Sequence, residues 1–490
     1  MQNISKIIPF VIISIIILAS SCQKRDEIST DSKYKLSFSA DSVLFDTVFT
    51  SLGSARRQLM IYNKNSKPLK IASIRLANGS SSPFRINVDG IAGEDIYDVE
   101  IQAKDSLYVN VRVTIDPQNQ NLPYIVEDDI VFQTNTNEQK VKLVAWGQDA
   151  IYIVADSYTP GFPKYKIVAD SLQTTIWTAE RPYVVYGFAV IDSYGTLQIE
   201  QGTQVHFHDG SGLWSYSEGQ LIVNGTFENP VVFRGDRLEQ AYSDLPGQWD
   251  RIWLMEARAG ADHIIEHAII RNGFIGIQAE SFLKPTAAAL RINNTIIENH
   301  TGMGIYTSLY TVEAKNFVVA NCGNYAIALT GGGYYRFIHG TVANNWNLSV
   351  RNTPSLFFNN VLYDENQNPI AVPFNFEMGN SIVYGSLQEE FESDFVAGND
   401  TTYLFVNTIL RSKQNKPTHE SFVNCLNEDP LFLDYQLFNY RLDSLSPAIG
   451  KGILDLANEV PFDLDNNSRL PLPDLGAYQY VEQVEKRKLW

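Results

Sequence analysis

Few stretches of this chain combine residue types that could do chemistry. The densest is Asp262-His263-Ile264-Ile265-Glu266-His267. On an extended strand His263 and His267 share one face, while Asp262 and Glu266 share the other. At about 3.3 Å per residue the two histidines lie about 13 Å apart, too far to hold one metal ion without a bend. His206 and His208 share a strand face in the same way. Cleaving a polysaccharide takes two carboxylates facing one bond, or a base beside a cation that neutralises a sugar carboxylate. Lys and Arg do not cluster near these acids in sequence, so no catalytic residue is assigned. Asp463-Leu464-Asp465-Asn466-Asn467 offers oxygen ligands of the kind calcium takes. It lacks the glycine and distal glutamate of an EF-hand loop, so an Asx-rich turn is expected there and no cofactor is required.

One excursion mixes charge with aromatic rings. It runs from Arg234 to Asp250, and Arg234, Asp236, Arg237, Tyr242, Trp249 and Asp250 are its candidate ligand contacts. Loops held by a rigid scaffold are where binding concentrates. The alternative is a loop packed on its scaffold with Trp249 as a buried anchor, and the sequence leaves both open.

The scaffold announces itself as a repeat. Ala268-Ile269-Ile270-Arg271-Asn272 is followed by Thr295-Ile296-Ile297-Glu298-Asn299, Phe317-Val318-Val319-Ala320-Asn321 and Gly340-Thr341-Val342-Ala343-Asn344. Looser copies end at Asp364, Gly385 and Ser412. Successive copies end 27, 22, 23, 20, 21 and 27 residues apart. Each phrase is a short β-branched run closed by a turn residue, which reads as a strand and a sharp corner. Two or three short strands in each period of about 22, without helical periodicity, fit one turn of a parallel β-helix. Stacked Asn side chains at the corners can hydrogen-bond from turn to turn. The fourth position of the phrase varies (Arg271, Glu298, Ala320, Ala343, Tyr363, Tyr384, Arg411) and shows no persistent acid or base.

Residues 35–150 carry a different pattern. Leu107 to Ile115 alternates strictly, apolar at odd positions, as a half-buried antiparallel strand does. Further short strands between Asn, Ser, Gly and Pro turns suggest an immunoglobulin-like β-sandwich serving as spacer or binding module.

The chain opens with a short basic region, an apolar run from Ile7 to Leu18, and Ala19-Ser20-Ser21-Cys22. This is the plan of a secretory signal peptide, too short to span a bilayer. The residues before Cys22 resemble a bacterial lipobox, which implies lipidation of Cys22. Gln23-Lys24-Arg25-Asp26-Glu27 is similar to the surface-export signal of Bacteroidota lipoproteins, which implies an outer-membrane, cell-surface address. A formal charge of −17 argues against nucleic acid as a partner. Acyl chains on Cys22 would then attach the protein to the membrane. Asp-Ser/Thr-aliphatic triplets such as Asp41-Ser42-Val43 and Asp105-Ser106-Leu107 look like the O-glycosylation sequon of the same phylum.

Gly-punctuated strands such as Gln220 to Thr226 precede the repeat, and Pro430-Leu431-Phe432 to Asp474-Leu475-Gly476-Ala477-Tyr478 follows it. Together these resemble the right-handed parallel β-helix proteins of the pectate-lyase-like superfamily, in particular uncharacterised Bacteroidota lipoproteins with a β-sandwich before the helix. The expected organisation is an all-β chain: signal peptide 1–21, tether 22–34, immunoglobulin-like β-sandwich 35–150, right-handed parallel β-helix 151–428, and a C-terminal cap 429–490. The expected function is a non-enzymatic surface module binding a polysaccharide or other envelope component. The alternatives are a polysaccharide lyase or glycoside hydrolase acting in the groove, and a structural stalk or adhesin.

Overall fold

The computed structural model describes residues 27–54, 56–118, 123–282, 289–413 and 420–482. Cys22 and the export signal at 23–26 lie outside them. The chain forms two compact units, 1–149 and 150–490.

The first unit is built from two five-stranded sheets. One contains Arg57–Tyr62, Ser106–Val113 and Phe84–Val88; the other contains Asn137–Gln148, Tyr124–Thr134 and Leu69–Leu76. All pairings are antiparallel except that of Ser42–Phe49 with Asn137–Gln148, which is parallel. The alternation seen in sequence is the reason for the packing. Leu107, Val109, Val111, Val113 and Ile115 all point into one core, shared with Ile71, Ile74, Ile130, Phe132, Val141 and Leu143 of the other sheet.

The second unit is a parallel β-helix of twenty-four strands in one continuous sheet. Each strand pairs in parallel with its equivalent one turn later: Gln204–Phe207 with Val231–Gly235, then Ala268–Arg271, then the Thr295 segment of Leu290–His300. This is the first of three faces. The second carries Phe188–Ile191, Gly212–Ser215, Ile252–Leu254 and Ile275–Glu280. Every inward side chain meets its counterpart above and below, as in the fully buried series Phe233, Ile270, Ile297, Val319, Val342, Val383 and Leu410. One turn cannot close such a core alone, so stability comes from stacking.

The corner asparagines have a backbone reason. Asn272, Asn294, Asn299, Asn316, Asn321, Asn380 and Asn407 all have φ between 44° and 66°. Asn tolerates that left-handed geometry because its short side chain bonds locally. Here it also bonds vertically. Asn321 donates to Asn299 (2.9 Å), Asn299 to Asn272 (2.8 Å) and Asn316 to Asn294 (2.6 Å), as the repeat implied.

One copy of the phrase proves not to be a rung. Val361–Tyr363 pairs antiparallel with Pro369–Ala371 in a side hairpin. Ala343 instead meets Tyr384, 41 residues on. A hairpin of β-branched residues and a rung look alike locally, and only the stacking register separates them. The segment from Phe432 onward lies along the side of the stack as a strap. Tyr440, Ala477 and Tyr478 pack on Val318, Ala320 and Ala343, while Leu442, Ala448 and Leu475 pack on Ile382 and Ile409. Glu459 ties this strap to Lys315 and Arg336.

Candidate functional site

The six residues read from the 234–250 excursion do not meet on one surface. The loop is docked rigidly, because Asn272 donates to the Ser243 carbonyl (2.7 Å) and Asn299 to that of Asp244 (2.8 Å). Trp249 is 1 % exposed, stacks on Phe207 at 4.7 Å, and donates to the Arg271 carbonyl. It is the buried anchor, out of reach of a ligand. Arg237 is self-contained, paired with Glu239 and lying 4.0 Å over the Tyr242 ring. Asp250 faces the second face and pairs with Arg251.

Asp236 does something the sequence hid. It directly follows strand Val231–Gly235, while His208 directly follows Gln204–Phe207, and those strands pair with Phe207 opposite Gly235. The His208 Nδ1 therefore sits 2.8 Å from an Asp236 oxygen. Burial pushes the Asp236 carboxyl up, and the hydrogen bond from His208 opposes that. Tyr186, one turn earlier, stacks on the imidazole at 4.4 Å. The His208 side chain is 47 % exposed, so a buried carboxylate orients an accessible base.

The other sequence candidates are structural. His263 is fully buried and accepts from the Leu221 N–H, and burial lowers its pKa to about 4. His206 is likewise buried and lowered to about 4. Asp463 accepts from Asp465, Asn467 and Gln479, so its oxygens are committed to an Asx turn. No group of three metal-ligating side chains occurs among the described residues.

Two outward columns carry the chemistry instead. The second face presents, turn by turn, Val190, Trp214, Trp253, Gln278, Tyr306, Ala328 and Phe357. Trp214 and Trp253 stack at 4.8 Å and 11°. Phe162 covers Trp214 from above, and Tyr165 and Tyr216 meet it edge-on. Phe162, Tyr165, Trp214 and Tyr216 line a groove of about 230 Å³ with Thr159 and Asp192. The Trp214 indole N–H lies buried there without a partner among the described residues. Below it, Glu280 accepts from Trp253 (2.6 Å) and from Gln278 (3.0 Å), and Gln278 in turn accepts from Arg251. The result is a stacked aromatic floor with a fixed polar border.

The first face presents the fourth position of the phrase. Read in register it runs His206, Arg234, Arg271, Glu298, Ala320, Ala343, Tyr384. Under the strap it carries Ala320, Ala343 and Tyr384, and at the strap's edge Arg271 and Glu298 stand beside Phe438 and Tyr440. Arg271 pairs with Asp244 of the loop (2.7 Å) and lies 3.7 Å from Glu298. Glu298 is almost fully buried, and burial pushes its carboxyl up to about 7.

Sequence reasoning misses the tryptophan column and reads the fourth position as carrying no persistent acid or base. Leu213-Trp214-Ser215 and Ile252-Trp253-Leu254 place a Trp at one outward position of consecutive turns. Arg271 and Glu298 stand at equivalent positions of consecutive phrases. Each signal exists in sequence, but only against a known register.

No protein-family model matches this chain, and no curated protein is similar to it. Among solved structures it is similar to the catalytic unit of a GH87 α-1,3-glucanase from Streptomyces thermodiastaticus, at 10 % identity over 72 % of this chain and 74 % of that one, TM-score 0.31. It is also similar to a family 123 glycoside hydrolase from Clostridium perfringens, at 10 % identity over 24 % of this chain, TM-score 0.17. A protein of unknown function from Porphyromonas gingivalis aligns at 15 % identity over 29 %, TM-score 0.18. The chain spans 30 % of the family 123 structure and 57 % of the Porphyromonas one.

Proposed function

We propose that the protein is a glycan-binding module, and that its binding platform is the Trp214–Trp253 face. One observation carries this: two indoles stacked in register, Trp214 only 4 % exposed beneath Phe162 and Trp253 partly open, bordered by Tyr216 and Phe162 at 39 % and 40 % exposure. Sugar rings offer C–H faces that stack on aromatic rings, while their hydroxyls need fixed polar partners. Glu280, held in place by Trp253 and Gln278, supplies such a partner at the border. Lipidation at Cys22 would hold this platform at the cell surface. Affinity electrophoresis through gels containing individual polysaccharides tests the platform. At least one polysaccharide should retard the native protein and not Trp253→Ala; equal mobility of both in every gel would discard the reading. Cys22→Ala tests the anchor, since a mutant that still partitions with membranes would refute it.

The His208–Asp236 pair favours a second reading, a polysaccharide lyase or glycoside hydrolase with His208 as base. A base within reach of substrate and oriented by a carboxylate is the minimum for proton abstraction. Incubation with uronate-containing polysaccharides, read as absorbance of unsaturated ends, tests the lyase arm. Reducing-sugar release tests the hydrolase arm. Activity that survives in His208→Asn would remove the residue from the mechanism, and no product from any polysaccharide would remove the reading.

A further inference from the structure

Arg234 and Arg271 occupy adjacent turns of one column, at the roughly 4.8 Å spacing of neighbouring strands. Like charges placed directly opposite across strands are destabilising. The protein compensates incompletely. Arg271 has Asp244, but Arg234 makes no hydrogen bond or ion pair among the described residues. The Nε atoms of both guanidinium groups are buried without a partner. The Glu298 carboxyl makes no hydrogen bond among the described residues either, its nearest cation being Arg271. The Tyr440 hydroxyl, on the edge of the strap beside Glu298, is buried and unpartnered too. In a chain of formal charge −17, this concentration of unspent donors is an anomaly that a bound anion would resolve.

We propose that Arg234, Arg271 and Glu298 form a subsite for a sulfate ester carried on a glycan. This rests on the glycan-binding reading for the carrier of the ester, with the subsite on the first face and the aromatic platform on the second. A sulfate ester presents three free oxygens, one for each of the two guanidinium groups and one for a protonated Glu298. A carboxylate presents two, and beside Glu298 it would make a pair of acids competing for one proton. Burial raises the Glu298 carboxyl to about 7, which keeps the donor form populated near neutrality. The loop through Asp244 and the strap through Phe438, whose ring lies 6.0 Å from the Arg271 guanidinium, wall the subsite on two sides.

Calorimetry with three derivatives of one backbone tests the proposal: dextran, carboxymethyl-dextran and dextran sulfate. The native protein should bind dextran sulfate about ten-fold or more tightly than carboxymethyl-dextran of equal charge, and Arg234→Gln should lose about that factor, as removal of a charged hydrogen-bond partner does. Arg234→Gln breaks no hydrogen bond or ion pair among the described residues, so it should fold, and relief of the Arg271 repulsion should raise its thermal midpoint. Equal affinity for the sulfate and carboxymethyl forms, no binding of dextran sulfate, or undiminished binding by Arg234→Gln would each overturn the subsite. Trp253→Ala separates the two ideas. If it leaves sulfate binding intact and no neutral polysaccharide depends on it, the aromatic platform falls while the anion subsite stands.

Discussion

Both units bury an apolar core, and they differ in how they bury polar groups. In the sandwich, buried polar residues such as Thr50, Asn63, Asp128 and Thr134 are scattered rather than repeated from strand to strand. Asn63 is fully buried and its amide donates to three carbonyls, those of Lys67, Ile101 and Gln102. In the stack, burial of polar groups is systematic: corner asparagines bond turn to turn, and His206, His263, His300 and His339 are enclosed. All seven histidines of the chain fall after residue 149. Antiparallel strands satisfy their backbone within a pair and leave one face wet, whereas a closed stack has corners inside every turn that need side-chain partners. A solenoid therefore repeats buried titratable and hydrogen-bonding groups from turn to turn, where the sandwich buries them one at a time.

Acid should produce the largest difference between the units. Burial holds His206, His263 and His300 at about 4, against 6.5 when exposed. Between those values the unfolded chain binds more protons. Stability present above pH 6.5 is therefore lost as pH falls toward 4, by about 3 kcal/mol for each histidine. Glu298, raised to about 7 from 4.5, acts in the other direction and gains stability as pH falls through that window, offsetting about one histidine. Calorimetry at pH 7 and pH 4.5 should show the stack's transition fall steeply and the histidine-free sandwich's hold. Parallel shifts of both would break the contrast.

A smaller effect isolates one buried pair. Arg351 and Glu390 are essentially unexposed, and Glu390 also accepts from Ser355 and Leu387. Arg351→Met leaves that carboxylate uncompensated and should cost about 3–5 kcal/mol in the stack alone. Denaturant titration would register it as one shifted transition of two. Smaller still, Asn299→Ala cuts the middle of a corner series, orphaning the Asn272 and Asn321 amide groups, and should cost about 2 kcal/mol. Asn63→Ala is the matched change in the sandwich. If Asn299→Ala proves harmless while Asn63→Ala does not, the corner bonds are dispensable and the two units do not differ in their reliance on buried polar groups.

Much of the scaffold was legible because its determinants are local. Ile270, Ile297, Val319 and Val342 announce themselves by type, and Asn272, Asn299 and Asn321 by their fitness for positive φ. The site was less legible. Arg234 was named as a contact, but its neighbour Arg271 lies 37 residues on, and the fourth position was read as featureless. The Val361–Tyr363 hairpin was counted as a turn, which displaced every comparison after Asn344. Asp236 was named without His208, its partner across one turn.

By itself, then, the sequence determined the period, the β-branched interior and the asparagine corners, since each follows from what one residue can do with its own backbone and one apolar side. Only the tertiary structure decided which outward side chains share a column. That depends on the length of every excursion between turns, and doubling an excursion costs a stacked coil only about 0.6 kcal/mol of loop entropy. The indoles of Trp214 and Trp253, the paired guanidinium groups and the His208–Asp236 contact all arise from that choice of register.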